Sequence, residues 1–112
     1  IRGGGMADWV RTMLRDAGDG MLTLTDLAGM LSLSPRTLDR HLKTEHTSFR
    51  ELARAARLAR AMAMLDDTSL AITRIAYELG YSDAANFTRA MRRDAGMTPA
   101  EYRRRQRAQS SR

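Results

Sequence analysis

The sequence predicts an all-α fold of seven helices, forming two helix-turn-helix subdomains joined by a long linker helix. Three observations lead there. Apolar residues recur at helical spacing along most of the chain, with almost none of the period-two alternation that a strand needs. Helix-start signals recur as well: a Ser or Thr followed by Pro, or by an acidic residue three positions on. The third observation is an internal repeat.

Ile1-Arg2-Gly3-Gly4-Gly5 reads as the end of an interdomain linker or a cloning remnant, so residues 1–6 are set apart from the fold. In residues 7–17, Trp9, Val10, Met13, Leu14 and Ala17 share one helical face, with Arg11, Arg15 and Asp16 opposite. Gly18-Asp19-Gly20 stops this first helix. Thr23 caps a short second helix, Asp26 completes a capping box, and Leu24, Leu27, Ala28 and Leu31 form its buried side. Ser34-Pro35 then supplies an N-cap and a proline at the first helical position, where the missing N–H costs nothing. The third helix runs to about Thr44 with Leu38 and Leu42 inward.

Ser48 and Glu51 form another capping box. Residues 49–65 contain no Gly or Pro, and Phe49, Leu52, Leu58, Ala61, Met62 and Leu65 follow the helical period, which makes the fourth helix the longest. After the Asp66-Asp67-Thr68-Ser69 break, Ile72, Ile75, Ala76 and Leu79 form the fifth helix, which has Ala71 where a Ser or Thr cap would be expected. Gly80 ends it, Ser82 caps the sixth, and Phe87 and Met91 face the core. Thr98-Pro99-Ala100-Glu101 starts the seventh, which carries Tyr102 inward; beyond Arg103 the chain is Arg/Gln/Ser-rich and is expected to fray. The predicted subdomains are residues 7–47 and 66–107, joined by the linker helix 48–65 and followed by a frayed tail, 108–112.

The repeat ties these elements together. Leu24, Leu27, Ala28, Leu31 and Ser34 reappear as Ile72, Ile75, Ala76, Leu79 and Ser82 at an offset of 48 residues. Leu38, Arg40 and Leu42 reappear as Phe87, Arg89 and Met91 at an offset of 49. Each copy is a short helix, a tight turn and a capped second helix, with a small residue (Ala28 or Ala76) where two helices cross closely.

Charge narrows the function. The 112 residues include 19 Lys plus Arg against 13 Asp plus Glu, a formal charge of +6, and the isoelectric point is about 10.9. A polyanion is the first partner such a balance suggests. Lys43 is the one lysine; every other cation is Arg, whose planar fork suits phosphate or a guanine edge. The absence of cysteine excludes disulfides, a thiol nucleophile and thiolate metal sites, and makes the cytoplasm the expected compartment. The longest run without a charged residue, 27–35, is far short of the roughly 20 residues that cross a bilayer, so no membrane association is expected.

The segment Ile75-Ala76-Tyr77-Glu78-Leu79-Gly80-Tyr81-Ser82-Asp83, followed by Phe87-Thr88-Arg89-Ala90-Met91-Arg92-Arg93 and by Gly96-Met97-Thr98-Pro99 with Tyr102-Arg103, resembles the C-terminal DNA-binding domain of AraC/XylS-type bacterial transcription regulators. Ser34-Pro35-Arg36-Thr37-Leu38 with Arg40 resembles that family's first recognition helix, and Arg57-Leu58 with Ala61 and Leu65 its linker helix. The resemblance covers residues 7–105. It implies that the third and sixth helices enter two major-groove segments of double-stranded DNA. Arg36, Thr37, Asp39 and Arg40 would then face bases or phosphates from the third helix, and Ala84, Ala85, Asn86, Thr88 and Arg89 from the sixth. Ala84 and Ala85 stand where longer polar side chains are common in that family, which leaves Asn86 and Arg89 most of the reading. The resemblance further implies RNA polymerase as a partner, and an N-terminal effector-sensing or dimerisation domain in the full-length protein.

Bland readings stand beside these. Exposed Arg on a helix is commonly a solvated face, and Asp39 is a possible ion-pair partner for Arg36 or Arg40. Arg92 and Arg93, candidates for phosphate contact, also suit the negative end of a helix dipole. Arg103, Arg104, Arg105 and Arg107 read as phosphate contacts or a solvated basic run. Ser34, Ser48 and Ser82 are caps rather than nucleophiles. His41 and His46 lack clustered partners, so no metal, cofactor or catalysis is expected. The eight Met residues read mainly as core filler. The rival to DNA binding is a helical interaction module whose basic face meets an acidic partner such as RNA polymerase or a sigma factor.

Overall fold

The computed structural model describes residues 5–18 and 22–110. Its elements are α1 (Met6–Asp16), α2 (Leu24–Met30), α3 (Pro35–Thr44), α4 (Phe49–Asp66), α5 (Ile72–Glu78), α6 (Ala84–Ala95) and α7 (Pro99–Ser110), with no strand among the described residues. The fold is all-α, as the sequence predicts. Two compact units divide between Ala56 and Arg57, inside α4.

In the first unit α1 and α2 pack on α3. Val10, Leu27, Ala28, Leu38 and Leu42 are fully buried, and Leu52 from the first turn of α4 joins them. Burying one such Leu is worth about 1.5–3 kcal/mol. The second unit repeats the plan: α5 and α7 pack on α6 around Ile75, Ala76, Phe87 and Met91, together with Ala61 and Leu65 from the later turns of α4. Leu38 and Leu42 of α3 thus have direct counterparts in Phe87 and Met91 of α6, as the repeat requires.

The two turns are built alike. In the first, the N–H of Leu33 donates to the Ala28 carbonyl at 2.9 Å and that of Ser32 to Gly29 at 3.1 Å. In the second, Tyr81 donates to Ala76 and Gly80 to Tyr77, both at 3.0 Å. This is the Schellman pattern, which satisfies carbonyls left over at a helix end and needs one residue in the left-handed region. Gly80 fills that slot at φ 89°, as a glycine can without steric cost. Ser32 fills it at φ 56° in the first copy, and carries the strain.

The cap at α6 differs from the one expected. Asp83, not Ser82, is the N-cap, accepting from the N–H of Asn86 at 2.8 Å. The counterpart cap is Ser34, accepting from Thr37, so the change of offset from 48 to 49 places one extra residue, Ser82, inside the second turn. The Thr23–Asp26 box is complete, and so is the box between Thr98 and Glu101. Thr23 and Thr98 hold the Asp26 and Glu101 carboxyls below their ordinary values, chiefly through their backbone N–H groups. At α4 the Ser48 hydroxyl accepts from the Glu51 N–H at 3.2 Å, while the Glu51 carboxylate receives the Thr47 hydroxyl. Ala71 caps α5 with no side-chain bond, in line with the missing Ser or Thr.

Other expectations fail for reasons the packing supplies. The first helix starts at Met6, one residue early, because Glu45 beyond the end of α3 caps it: its two carboxylate oxygens accept the N–H groups of Met6 and Ala7, each at 3.0 Å. Gly5 is the N-cap and lies so close to Glu45 that a Cβ there would stand 2.7 Å from the carboxylate. Residues 1–4 of the expected linker, Asp19 and Gly20 of the expected stop, and the last two residues of the expected frayed tail lie outside the described residues. The basic tail is helical through Ser110 rather than frayed beyond Arg103. It is held by Arg103, which is 8% exposed and donates to the carbonyls of Leu65 at 3.0 Å and Asp67 at 3.1 Å. Tyr102 and Gln106 both reach the Asp66 carboxylate from the same helix. Burial and that carboxylate raise the Tyr102 phenol above its ordinary value. Met30 is an exception to the reading of Met as core filler, being 56% exposed.

Candidate nucleic-acid interface

Each recognition helix turns one side to its core and the other outward. Along α3, Leu38 and Leu42 are buried, while Arg36 and Arg40, four residues apart, project together into solvent. Among the described residues neither arginine has an ion-pair partner. The expected partner, Asp39, is occupied elsewhere: its carboxylate accepts the N–H of Phe49 at 3.1 Å, at the first residue of α4. Asp39 therefore holds the start of α4 against α3 and does not pair with Arg36 or Arg40. Thr37, half-buried, receives the Ser34 hydroxyl at 2.9 Å.

Along α6, Phe87, Ala90 and Met91 are buried, whereas Ala85, Arg89, Arg92 and Arg93 are exposed and Ala84, Asn86 and Thr88 half-buried. Asn86 donates through its amide to the Ser82 hydroxyl and accepts from the Arg89 guanidinium. Arg93 is tied to Asp94 by two bonds at 2.9 and 3.1 Å, and Asp94 raises the Arg93 pKa. The turn in front of α6 is braced by Tyr81, whose ring stacks on Phe87 at 5.4 Å and lies under the Arg57 guanidinium at 5.2 Å.

The structure thus gathers Arg36 with Arg40 on one outward face and Asn86 with Arg89 on another. It directs Asp39 and Arg103 into the fold. Sequence reasoning missed the roles of Asp83, Ser82 and Arg57. The slip in the repeat offset was the available signal for Asp83 and Ser82; no periodicity marks Arg57. No group of His, Asp and Glu that could hold a metal occurs among the described residues, and no helix of the described chain is long and apolar enough to cross a membrane.

Two turns of one design, each presenting the first turns of a capped, cationic helix, define a DNA-binding domain of the helix-turn-helix class. The helix-turn-helix domain family matches residues 27–105, and the chain belongs to that family, in its AraC-type branch of transcription regulators. The HTH-type transcriptional regulator Rv1395 of Mycobacterium tuberculosis is 41% identical over 102 residues, 90% of this chain and 29% of that protein. The crystal structure of a DNA-binding transcriptional dual regulator from Escherichia coli K-12 matches with a TM-score of 0.85 and 30% identity, covering 96% of this chain and 97% of that one. A transcriptional regulator from Chromobacterium violaceum, one of the AraC-type DNA-binding domain-containing proteins, matches with a TM-score of 0.80 and 25% identity, covering 90% of this chain and 91% of that one. The chain therefore spans under a third of the length of the curated regulator it resembles.

Proposed function

We propose that the chain binds double-stranded DNA sequence-specifically, with the first turns of α3 and α6 entering two major-groove segments. The observation that carries this reading is the equivalence of Arg40 and Arg89. Both stand outward on the second helix of a turn with the same hydrogen-bond pattern, each opposite a fully buried pair. Second helices of such turns meet base edges through their N-terminal residues, and the Arg fork matches a guanine edge at two points. Arg36, Thr37 and Arg40 line the first groove-facing edge; Asn86, Thr88 and Arg89 line the second, beside the short Ala84 and Ala85. Arg92 and the exposed Arg104 and Arg105 suit phosphate. Asp39 acts by holding α3 to α4.

In the full-length protein this domain serves a bacterial regulator that works in the cytoplasm, without catalysis, alongside an N-terminal effector or dimerisation domain and RNA polymerase. Support comes from the family and from the greater length of its relatives.

Selection of bound duplexes from a random library, followed by titration at several salt concentrations, tests the reading. The expected result is one enriched motif, with the logarithm of the binding constant falling by about 0.9 per contacted phosphate for each unit of log salt. A flat salt response, or no enriched motif, refutes it and favours a protein partner.

A further inference from the structure

Asn86 is the third residue of α6, one turn ahead of Arg89, and its amide is used at both ends. A guanidinium has donors only, so the amide oxygen must face Arg89, which leaves the NH2 group for the Ser82 hydroxyl. Ser82 is the extra residue of the second turn, displaced from the cap position by Asp83. In the first unit the residue equivalent to Asn86 is Thr37. Its hydroxyl meets the cap Ser34, and no bond runs on to Arg40. Of two arginines equivalent in the repeat, Arg89 is held and Arg40 is free.

We infer that Asn86 is a positioning residue which presets the Arg89 guanidinium through the relay Ser82–Asn86–Arg89, and that α6 exerts its base preference through Arg89 rather than through a base contact of Asn86. This rests on the DNA-reading function above. Bidentate recognition of a base edge requires the plane of the fork to be fixed, and a side chain already ordered in the free protein loses less freedom on binding. The neutral amide also suits the task. A carboxylate at this position would hold Arg89 but cancel its charge and repel phosphate, as Asp94 partly neutralises Arg93. Ala84 and Ala85 offer no hydrogen-bonding side chain of their own, so the second reader depends on how well Arg89 is aimed. Replacing Asn86 leaves the helix cap in place, because Asp83 accepts from the backbone N–H of residue 86 and not from its side chain.

Two measurements test this. In the free protein, side-chain NMR relaxation should find the Arg89 Nε more ordered than the Arg40 Nε, and the difference should vanish in Asn86→Ala; equal mobility in the wild type overturns the inference. On a selected duplex with each base pair substituted in turn, Asn86→Ala should weaken binding by about 2- to 10-fold. It should relax preference at the same base pair as Arg89→Ala, and the double variant should be no weaker than Arg89→Ala alone. Ser82→Ala, which leaves Asn86 and Arg89 intact, should act in the same direction and less strongly. Additive losses, or relaxation at a base pair that Arg89→Ala leaves unaltered, would mean that Asn86 reads a base itself. A wild type with no sequence preference would overturn the DNA reading as well, an outcome distinct from any pattern among the variants.

Discussion

The Nε of Arg103 donates to the carbonyl oxygen of Leu65 at 3.0 Å, so a cation from α7 closes the C-terminal end of α4. The last carbonyls of a helix have no partner within it, and a positive charge there also meets the negative end of the dipole. A second bond, from Nη2 to Asp67, uses the other side of the fork.

Replacing Arg103 by Ala takes the donor from the Leu65 carbonyl in a largely buried place, while the Asp67 carbonyl keeps the N–H of Leu70 at 3.1 Å. We expect a loss of roughly 1–3 kcal/mol in urea unfolding, with Arg103→Lys in between because it keeps the charge and loses the fork. Wild-type stability in Arg103→Ala would show that the contact contributes nothing.

The paired readers make a prediction about specificity. Arg40→Ala and Arg89→Ala should each weaken binding to a selected site by about 1–3 kcal/mol and relax preference at different base pairs. Fluorescence anisotropy against a panel of substituted duplexes measures both effects. Losses confined to the same base pair, or no loss in either variant, would defeat the two-reader arrangement.

The left-handed residues of the two turns offer a test of strain. Ser32→Gly relieves a side chain at φ 56° and should stabilise the first unit by about 1 kcal/mol, offset in part by the freedom glycine gains in the unfolded chain. Gly80→Ala, at φ 89°, should destabilise the second by a similar amount. Thermal unfolding of the two variants should shift in opposite directions.

Acid should weaken the fold through its caps. Asp26, Asp67 and Glu101 all titrate below their ordinary values in the folded chain, held by Thr23, Ser69 and Thr98 respectively. A depressed carboxyl stabilises the folded state above its unfolded pKa, and that contribution is lost as pH falls through the folded one. The urea midpoint should therefore be insensitive to these groups near neutrality, and fall as pH drops below the ordinary values of 4.5 for Glu and 3.8 for Asp. Glu101→Gln should be less stable than wild type at pH 7 and show a shallower acid loss. A midpoint that rises on acidification would contradict the sign.

What the sequence determined by itself is local. The helical period of Leu24, Leu27, Ala28 and Leu31, the boxes at Thr23 and Thr98, and the outward placement of Arg36 and Arg40 opposite Leu38 and Leu42 all follow from neighbours within one or two helical turns, where spacing maps directly onto geometry. The repeat then made the outward arginines of α3 and α6 legible as a pair. The assignment of Ser82 as a cap failed because the slip of the repeat from 48 to 49 marks an inserted residue without saying which one it is, and only the backbone shows that Asp83 reaches the N–H of Asn86. The roles of Asp39, Glu45 and Arg103 lay beyond sequence reading for a different reason. Their partners stand 10, 39 and 38 residues away, and a charged side chain on a periodic helix looks the same whether it meets solvent, a phosphate or the end of another helix. Tertiary packing decided among these by bringing bare helix ends beside them: an unpaired backbone group costs more than a solvated charge gains, so those three side chains turned to the helix ends, while Arg36 and Arg40, with no such end beside them, point into solvent.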